Sequence, residues 1–220
     1  MRPQSRGIIE KLTAIEVPDE KTSIPKLKRM NRMLDAVYRQ VMQKGTDYDA
    51  FPGFPKPILL KPGAELLARH FDLVTDTKVV GSVEKIDQEV PYFQYNAECR
   101  LYNSKGEFVG NGVGSCNTGE SEYAYVWVPI ESLPGNVKNP EDLQTREVEG
   151  VKQYMVPLSR GEAFGLANTV MKKASKRAFI DAILKVTAGS RLFTQDVAGK
   201  DDSEDEDGED VTPQDGRKPD

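Results

Sequence analysis

The sequence has few of the residues that most often carry metal ions or covalent chemistry. Its 220 residues include one histidine, His70, and two cysteines, Cys99 and Cys116. A common structural zinc site uses four Cys or His ligands, so these residues cannot build one. In a reducing compartment the two cysteines are predicted to be buried thiols rather than a disulfide. We therefore expect no bound metal and no cofactor.

Motifs typical of enzymes are also missing. His70 lies in a helix-like run without a nucleophile elbow nearby, and a lone histidine is usually structural. No G-x-x-x-x-G-K-[ST] segment is present, so ATP-driven activity is not expected. Carboxylates are scattered rather than grouped as a two-metal nuclease requires. The chain is therefore predicted not to be an enzyme.

Long apolar runs are absent as well. No stretch of about 18 apolar residues occurs, so no transmembrane helix and no membrane partner are expected. The first residues, Met1 to Arg6, are followed by no apolar signal core. The resulting expectation is a protein of the cytoplasm or of a nucleus-like compartment.

The net charge of −5 conceals two unlike regions. Residues 199–220 hold ten acidic and three basic residues, which leaves 25 acidic and 27 basic residues in 1–198. We predict a disordered acidic tail over 199–220, because its composition cannot build a core. The tail is a solubilising segment, a DNA mimic that competes for a basic groove, or a docking segment for a basic partner.

Hydrophobic periodicity predicts an α+β fold in which an antiparallel sheet packs against a long helix. An N-terminal helical extension over 1–55 precedes a core domain over 56–198, and 130–152 is predicted to be an inserted loop. The predicted helices begin at Pro25, at Ala64 and after Ser159, where Glu162 completes a capping box. The predicted strands are 78–86, 92–102, 108–116, 123–128 and 154–157, with a tight turn at 103–106.

Three glycines, Gly110, Gly112 and Gly114, repeat at every second position of the third strand. All three project to one face, which therefore carries no side chains. Such a pattern usually marks a bend or the close approach of another backbone. We favour packing of a helix or a subunit there over a ligand.

The long helix carries four cations within about 140° of its circumference: Lys172, Lys173, Lys176 and Arg177. The small or apolar residues Ala167, Val170, Met171, Ala174 and Ala178 occupy the other side. A solvated helix face is one interpretation. The other is a surface for a polyanion, which needs cations on a rigid element.

Several segments, taken in order, resemble single-strand annealing proteins of the Rad fifty-two type and their phage and bacterial relatives. These segments are Lys61-Pro62-Gly63-Ala64-Glu65-Leu66, Cys99-Arg100-Leu101-Tyr102 with Gly106, Gly110-Asn111-Gly112-Val113-Gly114, and Lys176-Arg177-Ala178-Phe179. The resemblance covers roughly residues 56–196. It implies a β-β-β-α core that assembles into rings or filaments, in the cytoplasm of a bacterial or phage-infected cell.

The same resemblance implies that a basic groove holds single-stranded DNA with its bases outward. Lys176 and Arg177 match the groove cations and Arg100 the contribution from the strands, while Glu98, Glu120 and Glu122 nearby would repel phosphate. Lys172 and Lys173 extend the helical patch, and Lys61 and Lys105 complete the candidate DNA-binding set. The expected function is ATP-independent annealing in recombination or repair, with a basic or single-strand-binding protein as a further partner of the tail. The alternative is an oligomeric assembly protein without a nucleic-acid function.

Overall fold

The structure, a computed structural model, describes residues 19–135 and 137–195. These residues form three α-helices and eight β-strands. The helices are α1 (Glu20–Gln40), α2 (Lys61–His70) and α3 (Arg160–Val186). The strands are β1 (Tyr48–Asp49), β2 (Ile58–Leu59), β3 (Val74–Lys85), β4 (Tyr92–Tyr102), β5 (Phe108–Asn117), β6 (Tyr125–Pro129), β7 (Thr145–Val148) and β8 (Val151–Pro157). The predicted α+β class is confirmed, whereas the predicted disorder over 199–220 concerns residues outside the described range.

The central sheet is antiparallel, in the order β3-β4-β5. Its β4–β5 hairpin closes where predicted, and Gly106 adopts the positive φ of 77° that the turn requires. The side-chain oxygen of Asn103 accepts backbone N–H bonds from Lys105 and Glu107, both at 3.0 Å. Cys99 and Cys116 are free and buried, as the sequence predicts.

Helix α3 lies directly on the glycine face of β5. A Cβ atom on Gly112 would press on the Ala178 carbonyl oxygen and the Ala182 amide nitrogen. The alternative of close helix packing is therefore confirmed. The predicted capping box is also present, since Glu162 N donates to Ser159 Oγ at 3.4 Å and Ser159 N donates to Glu162 Oε2 at 2.9 Å.

The C-terminal half of α1 joins the same hydrophobic core as the sheet. Leu34 and Val37 are buried there, and the ring of Tyr38 lies 5.3 Å from that of Phe193. The helix begins at Glu20 rather than at Pro25, so the predicted start is wrong. Asp19 caps this earlier start, and Pro25 therefore lies inside the helix, where it lacks the N–H that would bond to the Lys21 carbonyl and where its ring crowds that carbonyl.

A second antiparallel sheet has the order β6-β8-β7. The expectation of an unstructured loop over 130–152 is therefore wrong for its last part, which forms β7 and the start of β8. Glu149 and Gly150, with φ of 52° and 79°, form the two-residue turn between these strands. Two consecutive positive φ angles match the right-handed twist of a hairpin. Gly150 suits such a position, but Glu149 is not a residue that these turns favour, so the local sequence signalled this hairpin only weakly.

Candidate functional site

A groove of about 1200 Å³ lies between α3, α2 and the inner face of β3. Its volume exceeds the range of roughly 300–1000 Å³ that is usual for small-molecule pockets. Two carboxylates, Glu65 and Glu122, line it. Its basic lining residues are Lys61, Arg69, Lys172, Lys173 and Lys176. The groove is therefore open to solvent and has an excess of positive charge.

The packing of α3 determines which of its cations face the groove. Val170, Ala174 and Ala178 are fully buried against the sheet and the core. Because residues three to four apart share a helix face, Lys172 and Lys176 then project together along the groove. Four of the seven predicted DNA-binding residues line this groove: Lys61, Lys172, Lys173 and Lys176.

Arg177 points instead toward the turn that links β5 to β6. Its two terminal nitrogens each lie 2.9 Å from an oxygen of Glu120, and one also donates to the Ser115 carbonyl at 2.7 Å. This bidentate geometry is the strongest form of an Arg–carboxylate contact. Arg177 therefore fastens the β5–β6 turn to α3.

Lys173 makes a similar contact with the same turn. Its Nζ atom lies 2.6 Å from Glu122 Oε2 and 5.6 Å from the centre of the Tyr123 ring. Its side chain is only 14% exposed. The carboxylates that were expected to repel phosphate are thus paired with basic residues predicted to bind it.

Arg100 and Lys105 lie away from the groove. Arg100 belongs to the face of β4 opposite to the buried Cys99 and Leu101, and it pairs there with Glu98 at 3.0 Å. Together with Tyr102 and Phe108 it borders a cavity of about 350 Å³. Lys105 lies in the β4–β5 turn. The structure therefore does not bring these two residues together with the α3 cations.

Arg69 is a groove cation that the sequence analysis missed. In α2, Lys61, Glu65 and Arg69 are spaced four residues apart and share one face, with Lys61 and Glu65 in contact at 3.9 Å. The predicted helix began at Ala64, which left Lys61 outside it. An earlier start, signalled by Pro62 in the first turn, would have placed Lys61 and Arg69 on the same face.

The groove floor is formed by the inner side of β3 and by apolar side chains. Thr75 and Thr77 contribute hydroxyl groups, and Phe179 and Leu73 contribute apolar surface. Hydroxyl groups donate hydrogen bonds to phosphate oxygens, and apolar surface accommodates sugars or bases. The groove therefore offers contacts to each part of a nucleotide.

Burial and ion pairing shift the pKa values of side chains in and beside the β5–β6 turn. Burial opposes ionisation of Glu120, but the hydrogen bonds and charge of Arg177 outweigh it and hold the pKa of Glu120 below its ordinary value of 4.5. Burial raises the pKa of the Cys116 thiol to about 11 and raises the pKa of Tyr123 as well. At neutral pH the carboxylate is therefore charged, whereas the thiol and the phenol are neutral.

One group in the described part of the chain has the spacing of a metal site. Ligand atoms of Cys116, Glu120 and Glu122 lie within 4.8 Å of one another. Both carboxylates are held by Arg177 and Lys173, and a metal would require the thiol as a thiolate. This donor set does not fit a metal ion.

Within the described ranges, no helix has both the length and the apolar character needed to cross a bilayer.

Comparison with known proteins gives no relative from which the site's role can be read. No protein-family model matches the chain, and a search of curated proteins found no significant match.

Proposed function

We propose that this protein binds single-stranded DNA and anneals complementary strands, without ATP, in homologous recombination or repair. The observation that carries the proposal is the groove with cations on both rims: Lys61 and Arg69 on α2, and Lys172 and Lys176 on α3. Cations on opposite rims contact the phosphates of one strand along its length. Backbone contacts of this kind bind DNA independently of sequence.

We assign two roles to the α3 cations from where their side chains lie. Lys172 and Lys176 are phosphate contacts on the groove. Lys173 and Arg177 hold Glu122 and Glu120, so that these carboxylates are neutralised beside the groove. An unpaired carboxylate next to a phosphate would oppose binding. Both roles favour an anionic strand, one by direct contact and one by cancelling repulsion.

The decisive experiment measures fluorescence anisotropy of a labelled single-stranded oligonucleotide at several salt concentrations. In Lys172→Gln/Lys176→Gln we expect at least tenfold weaker binding at low salt. The slope of log affinity against log salt should fall by about 1.4, since each lost phosphate contact on a single strand contributes roughly 0.7. The control is Lys138→Gln/Lys152→Gln, which removes the same charge from exposed positions outside the groove. Equal affinity in both variants would refute the groove as the binding site.

Assembly into a ring or filament is part of the proposal. Strand β3 is a twelve-residue strand at the edge of its sheet, and it exposes Val79, Val80 and Val83. Long apolar edge strands tend to pair with another chain. Repeated grooves would raise avidity for one long strand.

The same edge strand also favours the alternative, an assembly protein without a nucleic-acid function, whose acidic tail recruits a basic partner. Light scattering during size-exclusion chromatography distinguishes the two functions. Annealing predicts oligomers that bind oligonucleotide, whereas the alternative predicts oligomers that elute unchanged in its presence.

A further inference from the structure

Helix α1 carries a straight row of cations that lies outside the groove. At about 100° per residue, Lys21, Lys28, Arg32 and Arg39 fall within an arc of about 40°, and Arg29 lies beside it. All five side chains are exposed. At 1.5 Å per residue the row extends for about 27 Å.

The packing of α1 keeps this row directed toward solvent. Leu34 and Val37, on the opposite side of the helix, are buried in the core. Within the described residues, no carboxylate lies within ion-pair distance of Lys28, Arg32 or Arg39. Asp35 lies beside the row on the same helix, at i−4 from Arg39, so within the described residues five cations stand against one nearby carboxylate and the row keeps an excess of positive charge.

A polynucleotide backbone fits this surface better than a membrane does. A helix that lies on a bilayer inserts an apolar stripe flanked by cations. Here the C-terminal part of the stripe, with Leu34 and Val37, belongs to the protein core, Leu27 in its N-terminal part is exposed, and the cations project in the opposite direction. A linear array of point charges on a rigid helix instead matches a linear array of phosphates.

Annealing gives such a surface a use. Two strands must approach each other although both are polyanions, and the groove cations are engaged by the first strand. We propose that the α1 row binds the backbone of the second strand while the groove holds the first. This inference rests on the proposed function and adds a second nucleic-acid site to it.

The test uses the full chain and two non-complementary oligonucleotides, so that base pairing cannot hold the second one. The first strand, labelled with a donor dye, is bound to saturation, and a second strand with an acceptor dye is titrated while energy transfer is measured. The variant is Lys28→Gln/Arg32→Gln, which removes the centre of the row and retains good helix formers. Lys138→Gln/Lys152→Gln is the charge-matched control, and circular dichroism melting verifies that each variant is folded.

We expect Lys28→Gln/Arg32→Gln to bind the first strand within twofold of the control and the second strand at least tenfold more weakly. The rate of annealing of complementary strands should fall in parallel. Second-strand binding equal to that of the control would overturn the inference and leave the groove proposal intact. If the unmodified protein bound no single strand at all, both proposals would fail. Binding of each protein to phosphatidylserine vesicles is measured as well. If Lys28→Gln/Arg32→Gln lost only this vesicle binding and still bound the second strand, the inference would be overturned in favour of a membrane surface.

Discussion

Glu98, Glu120 and Glu122 each contact a basic side chain that the sequence pattern assigned to DNA binding. The pairs differ in their surroundings. The side chains of Arg177 and Glu120 are 22% and 25% exposed, whereas Arg100 is 54% exposed beside Glu98. Ion pairs away from solvent are costly to break, because the remaining charge stays poorly hydrated. Arg177 is accordingly a structural residue, and Arg100 belongs to the surface.

Replacing Arg177 by alanine should lower the free energy of unfolding by about 2–4 kcal/mol, since Glu120 is left as a partly buried charge. Replacing Arg100 by alanine should have a much smaller effect, because solvent screens that pair. Urea denaturation of both variants measures the difference. Restoration of stability in Arg177→Ala/Glu120→Ala, relative to Arg177→Ala, would confirm the coupling, and similar losses in the two single variants would contradict it.

The lowered pKa of Glu120 predicts a dependence of stability on pH. A carboxyl group whose pKa is lower in the folded protein contributes stability that is complete well above its ordinary value of 4.5. That contribution is lost as pH falls through the folded pKa. Thermal melting between pH 7 and pH 3 should show a steeper decline for the natural protein than for Glu120→Gln. Parallel curves for the two proteins would exclude Glu120 as the source.

At the level of elements, the β5–α3 contact fixes the arrangement of the core. Gly112 and Gly114 on the strand meet a helix surface built from Ala174, Ala178 and Ala182, and Gly110 faces the side chain of Val186. With no side chain on one partner and methyl groups on the other, the two backbones approach closely. This contact leaves no room for a larger residue on the strand.

Gly112→Ala should therefore destabilise the protein by about 3 kcal/mol or more, because the added methyl group meets backbone atoms that cannot move away alone. Gly81→Ala, in the same sheet, is the control. Its added Cβ would lie 3.7 Å from Asn96 Nδ2, an ordinary contact, so its stability should be unchanged or slightly higher. Chemical denaturation compares the two, and equal stabilities would show that α3 can move away from the sheet.

Some helices and strands could be predicted because their sequence signals come from residues that are close together in the chain. The alternation in β4 and the capping box at Ser159 each depend on residues close together in the chain, and both are present. The site depends on distant pairs. Arg177 and Glu120 are 57 residues apart, and nothing in their local sequence indicates that they meet. A cationic helix face could thus be found from sequence, but not which of its charges are already paired.

At the scale of the whole molecule, charge is distributed unequally along the chain. Residues 1–198 have two more basic than acidic residues, whereas 199–220 carry seven more acidic than basic ones. A protein with this asymmetry attracts a polyanion with one region and repels it with the other. Attraction and repulsion between exposed charges both act over about 10 Å at 0.1 M salt.

Deletion of 199–220 should raise the affinity for single-stranded DNA several-fold at low salt, since the net charge of −5 would become +2. The increase should appear mainly in the association rate and should diminish at high salt. Stopped-flow binding measures both rates. A variant with the tail acids replaced by Gln and Asn separates charge from length, and unchanged rates in both proteins would contradict a competing role for the tail.

The glycine–alanine contact also fixes a dimension of the groove. Lys172 and Lys176 alternate along α3 with Ala174 and Ala178, the residues seated in the sheet. The distance between the α3 backbone and the groove floor at Thr75 and Thr77 is thus set by the contact of the helix with the sheet. Helix α2 is held in the same core through Ala64 and Leu67, so DNA strands of different bulk would be accommodated by the flexible lysine side chains on the two rims rather than by movement of either helix.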